Sequence, residues 1–317
     1  MQNGNQTGLR LGWVGAGRMG AALAARLLAA GHDVAVWNRT RSKADALTAA
    51  GATVVDSPAD LADREVVFTM LAGPEDFKAV VLGPDGLLGG ERSPGVLVDL
   101  TTVSPEASAE VRAEARRRGT AMLAAPVSGN PKVVAAGRLT LVVSGPEDAF
   151  ARVRELLELL GEKATWVGQG EEARLAKICH NLMLGVVAQC LAEIVVLAEK
   201  GGMSRAAFLE FLNSSVMGSM FTRYKTPAYV NLDLKPTFTP VLLRKDFDLG
   251  LAAARERDVP MPVAAATQQV VQALIGSGCT EEDFAALLVQ QAKLSGLELV
   301  SEDAVVDDGL QEPVPAA

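Results

Sequence analysis

Two groups of residues in this chain have the types and spacing to do chemistry. The first is Gly15-Ala16-Gly17-Arg18-Met19-Gly20, and the second is Lys177 and Asn181, four apart in a long apolar run with His180 beside them. The glycine group stands between a short apolar run, Leu11-Gly12-Trp13-Val14, and the Ala- and Leu-rich stretch Ala21 to Ala30. A second apolar run follows, Val34-Ala35-Val36-Trp37. In such a strand–turn–helix–strand context the G-x-G-x-x-G spacing reads as a dinucleotide cradle. Gly15 permits the bend, Gly17 lets a pyrophosphate approach the backbone, and Gly20 lets the helix lie close to the sheet. Free N–H groups and the positive dipole end of the helix then hold the phosphates, with Ala16, Arg18 and Met19 in the same turn.

The end of the second run chooses between cofactors. Asp or Glu usually stands there to hold a ribose 2′-hydroxyl, whereas this chain has Asn38-Arg39-Thr40-Arg41. A carboxylate would repel a 2′-phosphate, while an arginine binds one bidentately and a hydroxyl can donate to it. The expected cofactor is therefore NADP, with NAD second, and Asn38, Arg39 and Thr40 at the ribose. Lys177 and Asn181 share one helix face. A buried lysine can be tuned by desolvation and a nearby positive charge into a proton donor and acceptor. The same spacing also fits a lysine that snorkels to solvent near a helix start.

These groups need elements to position them. Further strands are expected at Val66–Leu71, Val96–Leu100, Ala121–Ala124, Leu139–Val143 and Thr165–Val167, alternating with amphipathic helical stretches. That alternation predicts an α/β fold, a Rossmann-type doubly wound parallel sheet, over residues 11–170. Ligands of such sheets lie beyond the strands' carboxyl ends. Those ends carry Met70-Leu71, Asp99-Leu100-Thr101-Thr102 and Pro126-Val127-Ser128-Gly129. An all-α domain is expected over residues 171–298, built on a long interdomain helix, Ala173 to Lys200, that ends at Gly201-Gly202. Helical periodicity also marks Arg205–Leu212, Leu242–Arg257, Pro262–Ile275 and Glu281–Leu294. Residues 1–10 read as a flexible leader and residues 299–317 as a disordered acidic tail.

Composition narrows the function classes. The chain has 317 residues, 49% of them hydrophobic, enough for a large core in two domains. A net charge of −8 without a basic block argues against nucleic acid. We expect no membrane span and no secretion signal, hence a cytoplasmic protein. Cys179, Cys190 and Cys279 lack disulfide or metal-ligand spacing, and with only His32 and His180 no metal site is expected. The long helix is too apolar for one small domain to cover, which predicts a homodimer or homotetramer.

The chain resembles the β-hydroxyacid dehydrogenase family, which includes 3-hydroxyisobutyrate dehydrogenases and glyoxylate and succinic semialdehyde reductases. The likeness runs from Leu11 to about Gly296. It rests on Val14 to Gly20, on Asp99-Leu100-Thr101-Thr102-Val103-Ser104-Pro105, on Ala125-Pro126-Val127-Ser128-Gly129, on Lys177-Ile178-Cys179-His180-Asn181, and on Leu243-Arg244-Lys245-Asp246. The resemblance implies interconversion of a small 3-hydroxy acid and its aldehyde or keto acid by hydride transfer. It implies Lys177 as the general acid–base and Asn181 as the residue that orients it and the substrate. Ser128 and Gly129 would hold a substrate carboxylate. Lys245 would approach both cofactor and substrate, organised by Asp246, and Thr102, Met70 and Leu71 would flank the nicotinamide. This chain departs from the family in reading Asn130-Pro131-Lys132 after Ser128-Gly129, so Asn130 is expected to add hydrogen-bonding capacity to the pocket. Two alternatives stand beside this reading. One is an NADPH-dependent imine reductase, a group that shares the opening through Thr40 but usually replaces the lysine with Asp or Tyr. The other is a non-catalytic NADP-binding protein.

Overall fold

The computed structural model describes residues 9–310, so Met1–Gly8 of the expected leader and residues 311–317 of the expected tail lie outside the described residues. The chain divides into two compact units after Lys177. The first unit carries nine strands and the helices between them. In order these are β1 (Arg10–Val14), α1 (Arg18–Ala29), β2 (Asp33–Trp37), α2 (Arg41–Asp45), β3 (Thr53–Val54), β4 (Val66–Thr69) and α3 (Pro74–Leu82). Then come β5 (Val96–Asp99), α4 (Pro105–Arg117), β6 (Ala121–Ala124), β7 (Val127–Ser128), α5 (Pro131–Ala135), β8 (Thr140–Ser144), α6 (Glu147–Leu160) and β9 (Lys163–Gly168). The strand order is β3-β2-β1-β4-β5-β6, all parallel, which is the dinucleotide-binding order. β8 adds antiparallel to β6 and β7, and β9 runs parallel to β8.

Residues buried on both faces hold this sheet. Along β1, Leu11 and Trp13 face a core shared with Leu23 and Leu27 of α1 and Leu156 and Leu157 of α6. Val14, with Ala35 and Val67, faces the opposite core, which includes Phe77 of α3 and Val111 of α4. Arg10, expected in the leader, opens β1, where its N–H donates to the Glu65 carboxylate at 2.8 Å.

The long helix α7 (Glu172–Lys200) begins in the first unit and continues through the second, where α8 (Arg205–Ser214), α9 (Met220–Asn231), α10 (Pro240–Arg255), α11 (Pro262–Gly276) and α12 (Leu287–Leu294) surround it. α7 corrects the expectation that no segment could span a bilayer. By length and composition its 29 residues are apolar enough, with a mean hydropathy of 2.0 in the most apolar window. Half of that window is buried inside the protein. α10 packs hard against α7 through paired glycines. A side-chain carbon at Gly185 would meet the Phe247 ring at 2.5 Å, and one at Gly250 would meet Leu182 at 2.5 Å.

Residues 299–310 correct the disordered-tail expectation. Glu302 accepts from the backbone N–H groups of Arg205 and Ala206 at the start of α8 (2.6 and 3.0 Å). The Asn231 amide bonds Ala304 through both ends, at 2.9 and 3.0 Å. The acidic residue that suggested a solvated tail is a helix cap.

A buried pair closes the helical unit. Lys225 of α9 donates to Asp283 at 2.5 Å and to Thr237 at 3.1 Å, and lies 4.2 Å from the Phe284 ring centre. Burial by itself would raise the Asp283 pKa. The Lys225 charge and hydrogen bonds from Lys225, Thr237 and Ala285 outweigh burial and leave it lowered from 3.8. A lowered carboxyl contributes stability that is present above its unfolded value and lost as pH falls through the folded one. Asp283→Asn, which leaves Lys225 buried without its counter-charge, should cost about 3–5 kcal/mol at neutral pH. Denaturant unfolding of both proteins across pH should show that difference shrinking only below pH 3.8.

Candidate active site

The glycine turn is built by close contacts that leave no room for side chains at two of its three glycines. Gly15 has φ +101°, and a carbon added there would meet the Met70 carbonyl oxygen at 2.2 Å. At Gly20 such a carbon would sit 1.9 Å from the Gly15 carbonyl oxygen, so α1 can start only where it does if residue 20 has no side chain. Gly17 faces open space and is exposed, as a backbone awaiting a pyrophosphate must be. These features fit a dinucleotide at the α1 N-terminus, with Gly17 to Gly20 holding the phosphates.

Asn38 braces this turn from the end of β2. Its Oδ1 accepts from the Ala16 N–H at 2.8 Å, and its Nδ2 donates to the Thr40 carbonyl at 2.8 Å. An aspartate could accept the first bond but could not donate the second. The neutral amide thus ties the end of β2 to the glycine turn through both of its polar atoms. Arg39 is 80% exposed and pairs with Asp76 of α3 at 2.8 Å. Arg41 pairs with Asp56, and also lies 3.6 Å from Asp45.

At the carboxyl ends of β4 and β5 the residues expected near the nicotinamide are tied together. The Thr101 hydroxyl accepts from the Leu71 N–H at 3.0 Å, and the Met70 N–H donates to the Val14 carbonyl. Thr101 is buried, whereas Thr102 is only partly so. The first hydroxyl therefore builds the loop and the second stays at its surface. Beneath both, Asp99 accepts from the Thr69 hydroxyl at 2.5 Å, the Thr101 N–H at 3.2 Å and the Arg174 guanidinium at 2.5 Å. Sequence reasoning missed Arg174. The signal was present: an arginine in the first turn of an otherwise apolar helix.

Ser128 ends β7, and Gly129 follows with φ +142°. Asn130 has a second role that the sequence reading did not give it. Its Oδ1 accepts from the Val133 N–H at 3.1 Å and caps α5, and the residue is buried. That oxygen serves the helix start rather than a pocket, because Pro131 at the first helical position makes Asn130 the cap.

In the helical unit the structure brings three of the expected residues together. Asn181 donates from Nδ2 to Asp246 at 2.5 Å, and Lys245 lies 3.8 Å from the other Asp246 oxygen. With Nδ2 donating, Asn181 presents Oδ1 as an acceptor to His180 Nδ1 at 2.9 Å, so His180 carries its proton there. Asn181 and Asp246 are buried, and the Gly185–Phe247 and Gly250–Leu182 contacts fix the helices that carry them. Lys177 stands one turn earlier on α7 and is partly buried.

The profile for the NAD binding domain of 6-phosphogluconate dehydrogenase matches residues 10–168. The profile for the NAD-binding domain of NADP-dependent 3-hydroxyisobutyrate dehydrogenase matches residues 168–290. The chain belongs to the β-hydroxyacid dehydrogenase family. It is an NAD(P)-dependent oxidoreductase of that family, whose dehydrogenases and reductases act on CH–OH groups. A probable 3-hydroxyisobutyrate dehydrogenase-like 1 protein of Arabidopsis thaliana is 31% identical over 93% of this chain and 89% of its own length. The cytokine-like nuclear factor N-PAC of Xenopus tropicalis is 32% identical over 90% of this chain, which spans only 54% of that relative. Among solved structures, 3-hydroxyisobutyrate dehydrogenase of Mycobacterium tuberculosis with L-serine superposes with a TM-score of 0.78. It is 29% identical and covers 89% of this chain and 99% of its own. An imine reductase of Myxococcus stipitatus, 22% identical with a TM-score of 0.57 over 88% of this chain and 98% of its own, shares the fold.

Two glycine substitutions should separate folding from binding in this family member. Gly17→Ala has open space and an ordinary φ of −69°, so its melting temperature should stay within about 1 °C of the parent while NADPH binds about tenfold more weakly. Gly20→Ala should lower the melting temperature as well. Calorimetry and NADPH fluorescence titration on the same samples check both.

Proposed function

We propose that the chain reduces a small carboxylate-bearing aldehyde or keto acid to its hydroxy acid with NADPH, with Lys177 as the general acid. The observation that carries this reading is that Asn181, four residues after Lys177 on α7, donates its amide to Asp246 beside Lys245. Bound NADPH supplies the hydride to the carbonyl carbon. Lys177 gives a proton from Nζ to the carbonyl oxygen, and in the reverse direction takes the hydroxyl proton back. Asn181 is oriented for hydrogen bonding by partners at both ends of its amide, so little reorganisation accompanies the reaction. Ser128 and the Gly129 N–H hold the substrate carboxylate, and the Lys245 charge favours an anionic substrate.

NADP preference rests on a neutral Asn38 and on Arg39. Among the described residues Arg39 pairs with Asp76, and an exposed ion pair of this kind is weak enough to exchange for a 2′-phosphate. Subunit association is supported by the exposed apolar residues Met183 and Leu197 of α7, 70% and 72% exposed. Phe211 and Met217 are exposed as well, and a second copy would cover apolar residues of this kind in a homodimer or homotetramer.

The test is NADPH and NADH oxidation by the purified protein against glyoxylate, succinic semialdehyde, methylmalonate semialdehyde, simple ketones and cyclic imines. Turnover of an aldehyde acid, with NADPH preferred, is expected. Turnover of imines alone would overturn the reading in favour of imine reduction, and tight NADPH binding without turnover of any of them would favour a binding protein. Arg39→Ala should weaken NADPH by about tenfold or more while leaving NADH within about twofold, since one lost charged hydrogen bond is worth about 1.5–3 kcal/mol. Equal losses for both cofactors would remove Arg39 from the 2′-phosphate site.

A further inference from the structure

We infer that Arg174 is a positioning residue that locks the Lys177 turn of α7 to the nicotinamide-side loops, an inference that rests on the proposed role of Lys177. Arg174 is 1% exposed and Asp99 is fully buried. Two unit charges are kept out of water only where their remaining hydrogen-bonding groups find partners. Here they do. Asp99 takes the Arg174 guanidinium at 2.5 Å, the Thr69 hydroxyl at 2.5 Å and the Thr101 N–H at 3.2 Å. Arg174 also donates to the Thr101 carbonyl and, from Nε, to the Ser108 hydroxyl at 3.2 Å.

The direction of these bonds carries the inference. Thr69 ends β4, and Asp99 ends β5. Thr101 begins the loop that follows, and its hydroxyl fixes the Leu71 N–H at 3.0 Å. A single guanidinium therefore collects the two strand ends whose loops are assigned to the nicotinamide. It does so from α7, one turn before Lys177, where residues three apart stand on neighbouring positions of the helix surface. Around it the helix start has its own ties. Ser144 accepts from the Ala173 N–H at 3.1 Å, and Arg112 donates to Glu171 at 2.6 Å and to the Gly170 carbonyl at 3.0 Å. Those ties end on β8 and on α4, and none of them bonds Asp99 or Thr101. Only Arg174, among the described hydrogen bonds, joins the start of α7 to Asp99 and Thr101.

This arrangement gives the arginine a job that general stability does not require. A well-packed apolar pair of similar volume often stabilises a fold as well as a buried ion pair does. An apolar pair would not, however, fix the Lys177 turn and Leu71–Thr101 in one register. A misplacement of about 1 Å between reacting groups costs on the order of 100-fold in rate.

The experiment compares Arg174→Lys, Arg174→Met and the double variant Asp99→Asn/Arg174→Met with the parent. Arg174→Met leaves Asp99 buried without its counter-charge and is expected to melt lower. The double variant removes both charges and is expected to fold with a melting temperature close to the parent. Its NADPH dissociation constant should stay within about threefold, because the glycine turn that holds the phosphates is untouched. Its kcat with the best aldehyde acid should fall about 100-fold with KM within about threefold. Arg174→Lys, which keeps the charge but not the fork, should fall between. The fluorescence anisotropy of bound NADPH should drop in the double variant as the Leu71–Thr101 loop loosens. That arm needs no turnover, so it separates a failure of this inference from a failure of the proposed activity. A double variant that keeps kcat within about threefold of the parent, leaves the anisotropy unchanged, or does not fold would overturn the inference.

Discussion

A carboxylate and a guanidinium shut away from water at the end of β5 are the constraint on which the sheet unit depends. Asp99 can be buried only because Thr69, Thr101 and Arg174 all donate to it. Those three donors come from one strand end, one loop and one helix that are distant in sequence. Meeting the demand of one charge thereby sets the β4 and β5 loops and the entry of α7 together. It also accounts for where the chain divides. The first turns of α7 belong with the sheet because their polar groups are bonded there, and the helical unit starts only after Lys177.

The glycine turn obeys the same logic with sterics in place of charge. Gly15 and Gly20 are closed by carbonyl oxygens, and Asn38 braces Ala16, so the one open glycine, Gly17, faces outward. In the helical unit, Gly185 and Gly250 let α7 and α10 approach until Asn181 reaches Asp246.

What could be read beforehand followed from local rules. The β1–turn–α1 unit, the parallel strands and the long helix all announce themselves by apolar period and glycine placement. α9 did not, because Pro227 stands inside it and its buried residues mix Thr222, Lys225 and Thr226 with the consecutive Ala228, Tyr229 and Val230, which leaves no helical apolar period. The strap at residues 299–310 has no period at all. Its order comes from Glu302 and Ala304 meeting α8 and α9, partners far off in sequence. The partners of Asn130 and the Lys225–Asp283 pair were illegible for the same reason. Sequence gives a residue's type, while the partner that decides between site and scaffold is fixed only by tertiary contact. The Asn38 amide shows the converse. Its lack of a carboxylate could be read, but its brace to Ala16 could not.

The central claim is that Lys177 moves the proton while the glycine turn holds the cofactor, and one variant measures both. Lys177→Ala should bind NADPH within about twofold of the parent by fluorescence titration. In single-turnover mixing with an aldehyde acid that the parent reduces, its hydride-transfer step should be slower by about 100-fold or more. A variant that transfers hydride at the parent rate, or that loses NADPH along with turnover, would contradict the account.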